Sequence, residues 1–229
     1  MDLEWNMTDD PLAKIKTEAL RARPEERGRL LKPLAQIHAT TLGKPSLIDV
    51  DRFVETAISL TSQASLFERM AFANMMADIG RIPSALLDVM LGDVYLVSRP
   101  LVERADLSDD HLLAVMADDA SESTLLLIAQ RAETGIPVTD RIVECGTLKV
   151  YLTLAANDRA ALSMSTFVRF SSMTEAQNDM DLALAKRSDL PVSIAKTLYQ
   201  RISARAEKRV AEMIERDRNR GRRVLSLGS

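Results

Sequence analysis

The sequence predicts an all-α protein: stacked helical hairpins forming a short HEAT-like α-solenoid, with irregular amino-terminal helices and a long carboxy-terminal helix. Three observations lead there. An aliphatic residue followed by Pro or Ser returns five times, as Ile82-Pro83, Leu107-Ser108, Ile136-Pro137, Leu162-Ser163 and Leu190-Pro191. The steps between the Pro or Ser positions are 25, 29, 26 and 28 residues, a period that fits two short helices and two turns. Aromatic residues make up only 4% of the chain, and Ala, Leu, Met and Val carry its apolar content, a palette that suits helices and not strands.

The repeated phrase has a mechanical meaning. Proline is tolerated where a helix begins because its missing N–H would have no partner there, and Ser is a favoured N-cap. The preceding aliphatic residue suits the N′ place of a hydrophobic staple. Each copy therefore predicts a helix start, at Pro83, Ser108, Pro137, Ser163 and Pro191. A second helix is expected in each unit, over Val94–Glu103, Ser121–Arg131, Thr147–Ala156 and Thr174–Lys186. Ser65 with Glu68, and Thr174 with Gln177, have capping-box spacing. Leu125 to Ala129 is apolar on every side, as in a helix buried on all faces. Gly80, Gly135 and Gly146 stand where helices should stop.

The ends are expected to depart from this pattern. The organisation read is one domain over 1–229: a helical cap at 9–64, repeats at 65–200 and a charged extension at 201–229. An amphipathic helix is expected at 50–61, and residues 9–42 read as helix interrupted by Pro24, Gly28 and Pro33. Met1–Thr8 is expected to be mobile. Pro191 should open a long helix to about Asn219, with a disordered tail at Val224–Ser229.

Three stretches, LLLIAQRAETGIPVTDRIVE, LTLAANDRAALSMSTF and LALAKRSDLPVSIAKTL, resemble the bacterial family known as domain of unknown function 2336. Each runs from an apolar helix through a short Ala-x-Arg or Ala-Asn phrase to a new helix at Pro or Ser. The resemblance covers roughly residues 70–200. It implies a helical, repeat-like fold, found mainly in alphaproteobacteria, with no established enzymatic activity and no catalytic residue to carry over.

The residues themselves point away from catalysis. His38 and His111 are far apart in sequence, and no metal-ligand spacing such as H-E-x-x-H or C-x-x-C occurs. No cofactor, metal or catalytic residue is expected. Both histidines read as partly exposed structural residues. Cys145, the single cysteine, falls at a helix C-terminus, the wrong end to activate a thiol, and reads as a small packed residue. It also leaves no internal disulfide, and with an acidic, polar amino terminus the expectation is a soluble cytoplasmic protein outside the membrane. The acidic doublets Asp9-Asp10, Asp109-Asp110 and Asp118-Asp119 read as structural.

What remains is charge. The formal net charge is −3, yet residues 78–122 hold ten acids against three bases, while 201–223 hold nine bases against four acids. Arg104, Arg131, Arg159 and Arg187 recur three to five residues before the repeated Leu or Ile. They fit either a guanidinium ladder for a partner's carboxylates or phosphates, or compensation of the negative end of each preceding helix. Asn157 could cap a helix C-terminus in the same role. Arg216, Arg218, Arg220, Arg222 and Arg223 crowd the last helix, where aromatic residues for base stacking are missing. Met70–Met76 suits a core more than a dimer seam, and Trp5 suits an anchor or an interface contact. The expected function is non-enzymatic: an interaction or scaffold protein that binds a protein partner along its helices, with self-association as a further option. The alternative, nucleic-acid binding through the turn arginines and the basic helix, is disfavoured by the net charge.

Overall fold

The computed structural model describes residues 10–41, 49–117 and 120–226, with residues 217–226 described by backbone alone. All its regular elements are helical. The chain divides into two compact units, Met1–Ile128 and Ala129–Ser229, so the segment expected to form one array of hairpins is shared between them.

The first unit holds α1 (Pro11–Arg21), a 3₁₀ segment (Pro24–Leu30), α2 (Leu31–Thr41), α3 (Val50–Thr61), α4 (Leu66–Ile79), α5 (Ser84–Leu91), α6 (Tyr95–Arg104) and α7 (Asp109–Val115). The helix α8 (Glu122–Ala129) ends at the division. The punctuation expected at 9–42 is real: Pro24 opens the 3₁₀ segment and Pro33 sits in the first turn of α2, where no N–H is needed. The helix expected at 50–61 is α3, and it buries Phe53, Ala57 and Leu60 on one stripe. Ser65 and Glu68 form the capping box of α4. Phe72, Ala73 and Met76 of α4 are buried, so Met70–Met76 belongs mainly to the core. Helices two apart lie side by side, as α2 with α4, α3 with α5, and α4 with α6. The last pair runs in the same direction, since Arg69 Nε meets Asp93 at 2.7 Å at their starts and Arg104 Nε meets Asp78 at 2.9 Å at their ends.

The second unit continues with α9 (Ile136–Cys145), α10 (Leu148–Ala156), α11 (Met164–Ser172), α12 (Gln177–Leu184) and α13 (Val192–Ser226). Neighbours α9 and α10 pack together, as do α11 and α12, while α10 also packs on α12 and α11 on α13. Val138, Ile142, Val150, Leu154, Phe170, Met180 and Leu184 fill the space between them at helical spacing. At Gly146 an added Cβ would meet the Ile142 carbonyl at 2.6 Å, so the turn into α10 requires glycine.

Several local expectations are corrected. Ser108 and Ser163 are N-caps, and Leu107 and Leu162 before them are buried, but Ile136 enters α9 itself and is exposed. Gly135 caps the start of α9 and does not end α8, which stops at Ala129. Thr174 caps nothing: α12 begins at Gln177 behind Ala176, whose φ of 49° turns the chain in the left-handed region. Leu126 and Leu127 are half-buried, so α8 is not enclosed on all sides. Cys145 is exposed, its Sγ donating to the Arg141 carbonyl at 3.0 Å. Finally, α13 is helical through Ser226, past the end expected near Asn219. The expectations for Met1–Thr8, Trp5, Asp9, Asp118, Asp119 and the last three residues fall outside the described residues.

Candidate functional site

The turns of the second unit are held by polar side chains that reach back about one period. Asn157, at the end of α10, donates through Nδ2 to the carbonyls of Ala129 (2.9 Å) and Arg131 (2.7 Å), closing the C-terminus of α8. One period later Arg187 does the same for α10: Nη1 donates to the Asn157 carbonyl at 2.5 Å and Nη2 to that of Ala160 at 2.6 Å. Arg201 then donates to the Ser171 carbonyl at the end of α11, at 2.7 Å. The sequence separations of these bonds, 26 to 30 residues, match the spacing of the repeated phrase.

The four turn arginines share a place in the sequence but not an environment. Arg104 ends α6 and bridges to α4 through Asp78 and, at 3.0 Å, Asn74 Oδ1. Arg131 is half-buried and Arg159 exposed. The Arg187 side chain is 1% exposed, forked onto both oxygens of Asp189 (2.8 and 2.7 Å) and set 5.5 Å over the Phe167 ring. It is spent on the fold and offers nothing to a partner. Arg187, expected to offset the end of the helix before it, α12, instead reaches back with its guanidinium to the carbonyls that follow α10.

Sequence reasoning passed over a second charged cluster. Asp181 of α12 is 1% exposed and accepts from Arg201 Nη2 at 2.6 Å and from Arg205 Nη2. Arg205 also donates to Asn178. Together these pin the first part of α13. An acid set directly between Met180 and Leu182 was the available signal, since a charge on the apolar side of a helix needs a partner.

From Ala206 to Arg216 every residue of α13 is exposed. Val210, Met213 and Ile214 are 55%, 61% and 55% exposed, and Arg216 is exposed with them. Arg220, Arg222 and Arg223 lie on the same helical backbone, with side chains outside the described residues.

Other chemistry-bearing groups are engaged in structure. Ser108 Oγ lies 2.7 Å from His111 Nδ1, and His111 Nε2 lies 3.6 Å from Asp88 Oδ1. The order Ser, His, Asp invites comparison with a hydrolase, but the Ser108 amide also faces Nδ1 at 3.3 Å, the geometry of a capping box closing α7. His38 stacks on Phe53 with centroids 4.9 Å apart and faces the Arg81 carbonyl at 3.2 Å. Burial holds its pKa below the usual histidine value, against the pull of that carbonyl. The Ser188 amide, donating at 2.8 Å, holds the Asp158 carboxyl below its usual range. A shallow, open depression beside α10 is lined by Gln130, Leu152, Thr153, Ala156 and Asn157, none of them ionisable. Among the described residues no group of three or more His, Cys, Asp or Glu could hold a metal ion, and no helix is long and apolar enough to cross a membrane.

Residues 97–226 match the family model described as "Uncharacterised protein conserved in bacteria (DUF2336)". The chain belongs to this family. The match extends past the stretch that carried the resemblance and takes in α13, so the projecting helix is part of the family's domain. Neither a curated protein nor a solved structure matches the chain.

Proposed function

We propose that this chain is a non-enzymatic interaction module, a short HEAT-like stack of helical hairpins that binds a protein partner along its helix surfaces in the bacterial cytoplasm. The observation that carries this reading is α13. From Ala206 to Arg216 the helix exposes three large apolar residues beside a row of charges, a combination that favours a partner surface over water. Two further points support it. The polar side chains in the turns of the second unit are engaged with backbone carbonyls at or just beyond helix ends. The nearest approach to an enzyme's constellation, Ser108–His111–Asp88, closes a helix and leaves Asp88 62% exposed, far from the desolvated carboxylate such chemistry uses.

Affinity capture at low salt tests the reading, with the full-length chain and a variant carrying Arg209→Glu, Arg216→Glu and Arg220→Glu as parallel baits. A bacterial protein retained by the first and lost by the second is the expected result. Identical recoveries on both baits would remove α13 as the contact. Nucleic acid is the second reading, favoured by the row of arginines along α13. It requires micromolar or tighter retention of DNA or RNA on a filter, weakening steeply with salt.

A further inference from the structure

We propose that α13 pairs antiparallel with α13 of a second copy of the chain, along a seam that runs from Val192 to Met213. This rests on the interaction reading and deepens it by naming what α13 contacts. A helix on the surface of a fold ordinarily has one apolar stripe, turned to the core. The helix α13 has two. The first faces its own unit: Leu198 is buried, Ile194 is half-buried, and Arg201 and Arg205 hold Asp181 of α12. The second lies roughly 120° further round, at 100° per residue. Val192, Tyr199, Ala206 and Met213 follow one another at intervals of seven residues, with Val210 between the last two. These five positions fall within roughly 60° of arc. All five are exposed, Val192 at 71% and Tyr199 at 73%. Apolar groups repeating every seven residues along a helix form the seam of a coiled coil.

The seam is complementary to itself. From Ala206 to Arg216 three acids, Glu207, Glu212 and Glu215, balance three bases, Lys208, Arg209 and Arg216, so the stretch selects no partner of one sign. In the antiparallel register that opposes Ser203 to Ala206 of the second copy, Val210 packs on Tyr199, and Lys196 lays its methylenes along Met213. The flanking charges then meet no like charge: Arg209 comes beside Ile202, Arg216 beside Ala195 and Glu207 beside Gln200. Parallel pairing would instead oppose Lys196 to Lys196 within the seam. The small side chains of Ser203 and Ala206 let the two backbones approach at the crossing. Residues 192–216 offer a strip about 36 Å long and about 10 Å wide, the size of a small, reversible interface. The stretch after Arg205 gains most from pairing, since helices draw their stability chiefly from packing an apolar face. Both copies use the same strip, so the assembly closes as a dimer.

Sedimentation velocity on the full-length chain from about 1 to about 100 μM tests this, a range that brackets a reversible dimer. The expected result is a monomer–dimer equilibrium with no larger species. Its Kd should change less than about threefold between about 0.05 and about 0.5 M salt, because the seam is apolar. Val210→Glu and Tyr199→Glu each set a charge in the seam and should weaken the dimer at least tenfold, whereas Lys208→Glu, on the opposite side of the helix, should not. Val210 and Tyr199 are exposed in the single chain, so both variants should match the parent in circular dichroism at the lowest concentration. A spin label at Glu215→Cys in a Cys145→Ser chain reads the direction. Antiparallel pairing sets the two labels about 30 Å apart along the axis, and parallel pairing brings them level. A chain monomeric at the highest concentration overturns the proposal, as does a dimer that both seam variants retain, or labels that lie level. Duplex DNA or anionic phosphatidylserine vesicles bound by a strictly monomeric chain would overturn it too. A foreign protein captured by a chain that stays monomeric would uphold the interaction reading alone, so the two failures are distinguishable.

Discussion

Replacing Arg187 by Ala should destabilise the second unit by about 3 kcal/mol, and the structure supplies each contribution. Two of the four guanidinium bonds go to the carbonyls of Asn157 and Ala160 at 2.5 and 2.6 Å. A hydrogen bond to a charged donor contributes roughly 1.5–3 kcal/mol, and the Asn157 end, part-buried, belongs at the low end because water can replace the donor. The pair with Asp189 adds little, since that carboxylate is 42% exposed. Loss of the buried methylenes and of the contact over Phe167 removes about another 1–2 kcal/mol. Against this, freeing a side chain as flexible as Arg returns up to about 2 kcal/mol. Arg187→Lys keeps the charge but not the fork, and should lose about half as much. Urea unfolding followed by circular dichroism gives the size of the effect, and amide hydrogen exchange gives its place. Protection should fall over residues 148–190 and stay unchanged over α2–α4. A loss below about 1 kcal/mol for Arg187→Ala would refute the view that this side chain closes the turn.

Four other outcomes follow from the same geometry. Asp181→Ala leaves Arg201 and Arg205 without their buried partner, and should cost about 3–5 kcal/mol and raise hydrogen exchange over residues 195–206. Ser108→Ala removes the cap of α7 for about 1 kcal/mol, measured by thermal unfolding. Ala176→Gly relieves the left-handed backbone before α12 and should raise the melting temperature, the gain being up to about 1 kcal/mol. His38, whose folded pKa is depressed by burial below 6.5, binds a proton more readily when unfolded. Stability should therefore fall as pH drops from about 7.5 through the unfolded value near 6.5 and on toward the folded one. His38→Gln should flatten that part of the urea-midpoint profile.

Helices were legible where a single local rule decides them. Ser65, Ser108 and Ser163 are N-caps in sequence and in space, because a short hydroxyl side chain satisfies an amide two or three residues on wherever the helix sits. Asn157 was recognisable as a cap by its type, but only packing shows that its side chain closes α8 and not α10, the helix it follows. Thr174 misled because the cap spacing was right while the backbone turned at Ala176, a conformation that nothing in an alanine announces. The turn arginines were legible as a set but not as individuals. The residue type and spacing of Arg104 and Arg187 are alike, and only packing puts one across α4 and α6 and the other under Phe167.

The sequence by itself determined the helical class, most helix starts and the charge asymmetry, because capping, proline geometry and composition act over a few residues. Tertiary structure alone decided which charges are spent and which remain. Arg187 and Asp181 vanish into the fold because distant carbonyls and guanidiniums reach them, whereas Val210, Met213 and Ile214 stay exposed because no helix among the described residues covers them. Burial depends on what the rest of the chain brings alongside, and no window along the sequence contains that information.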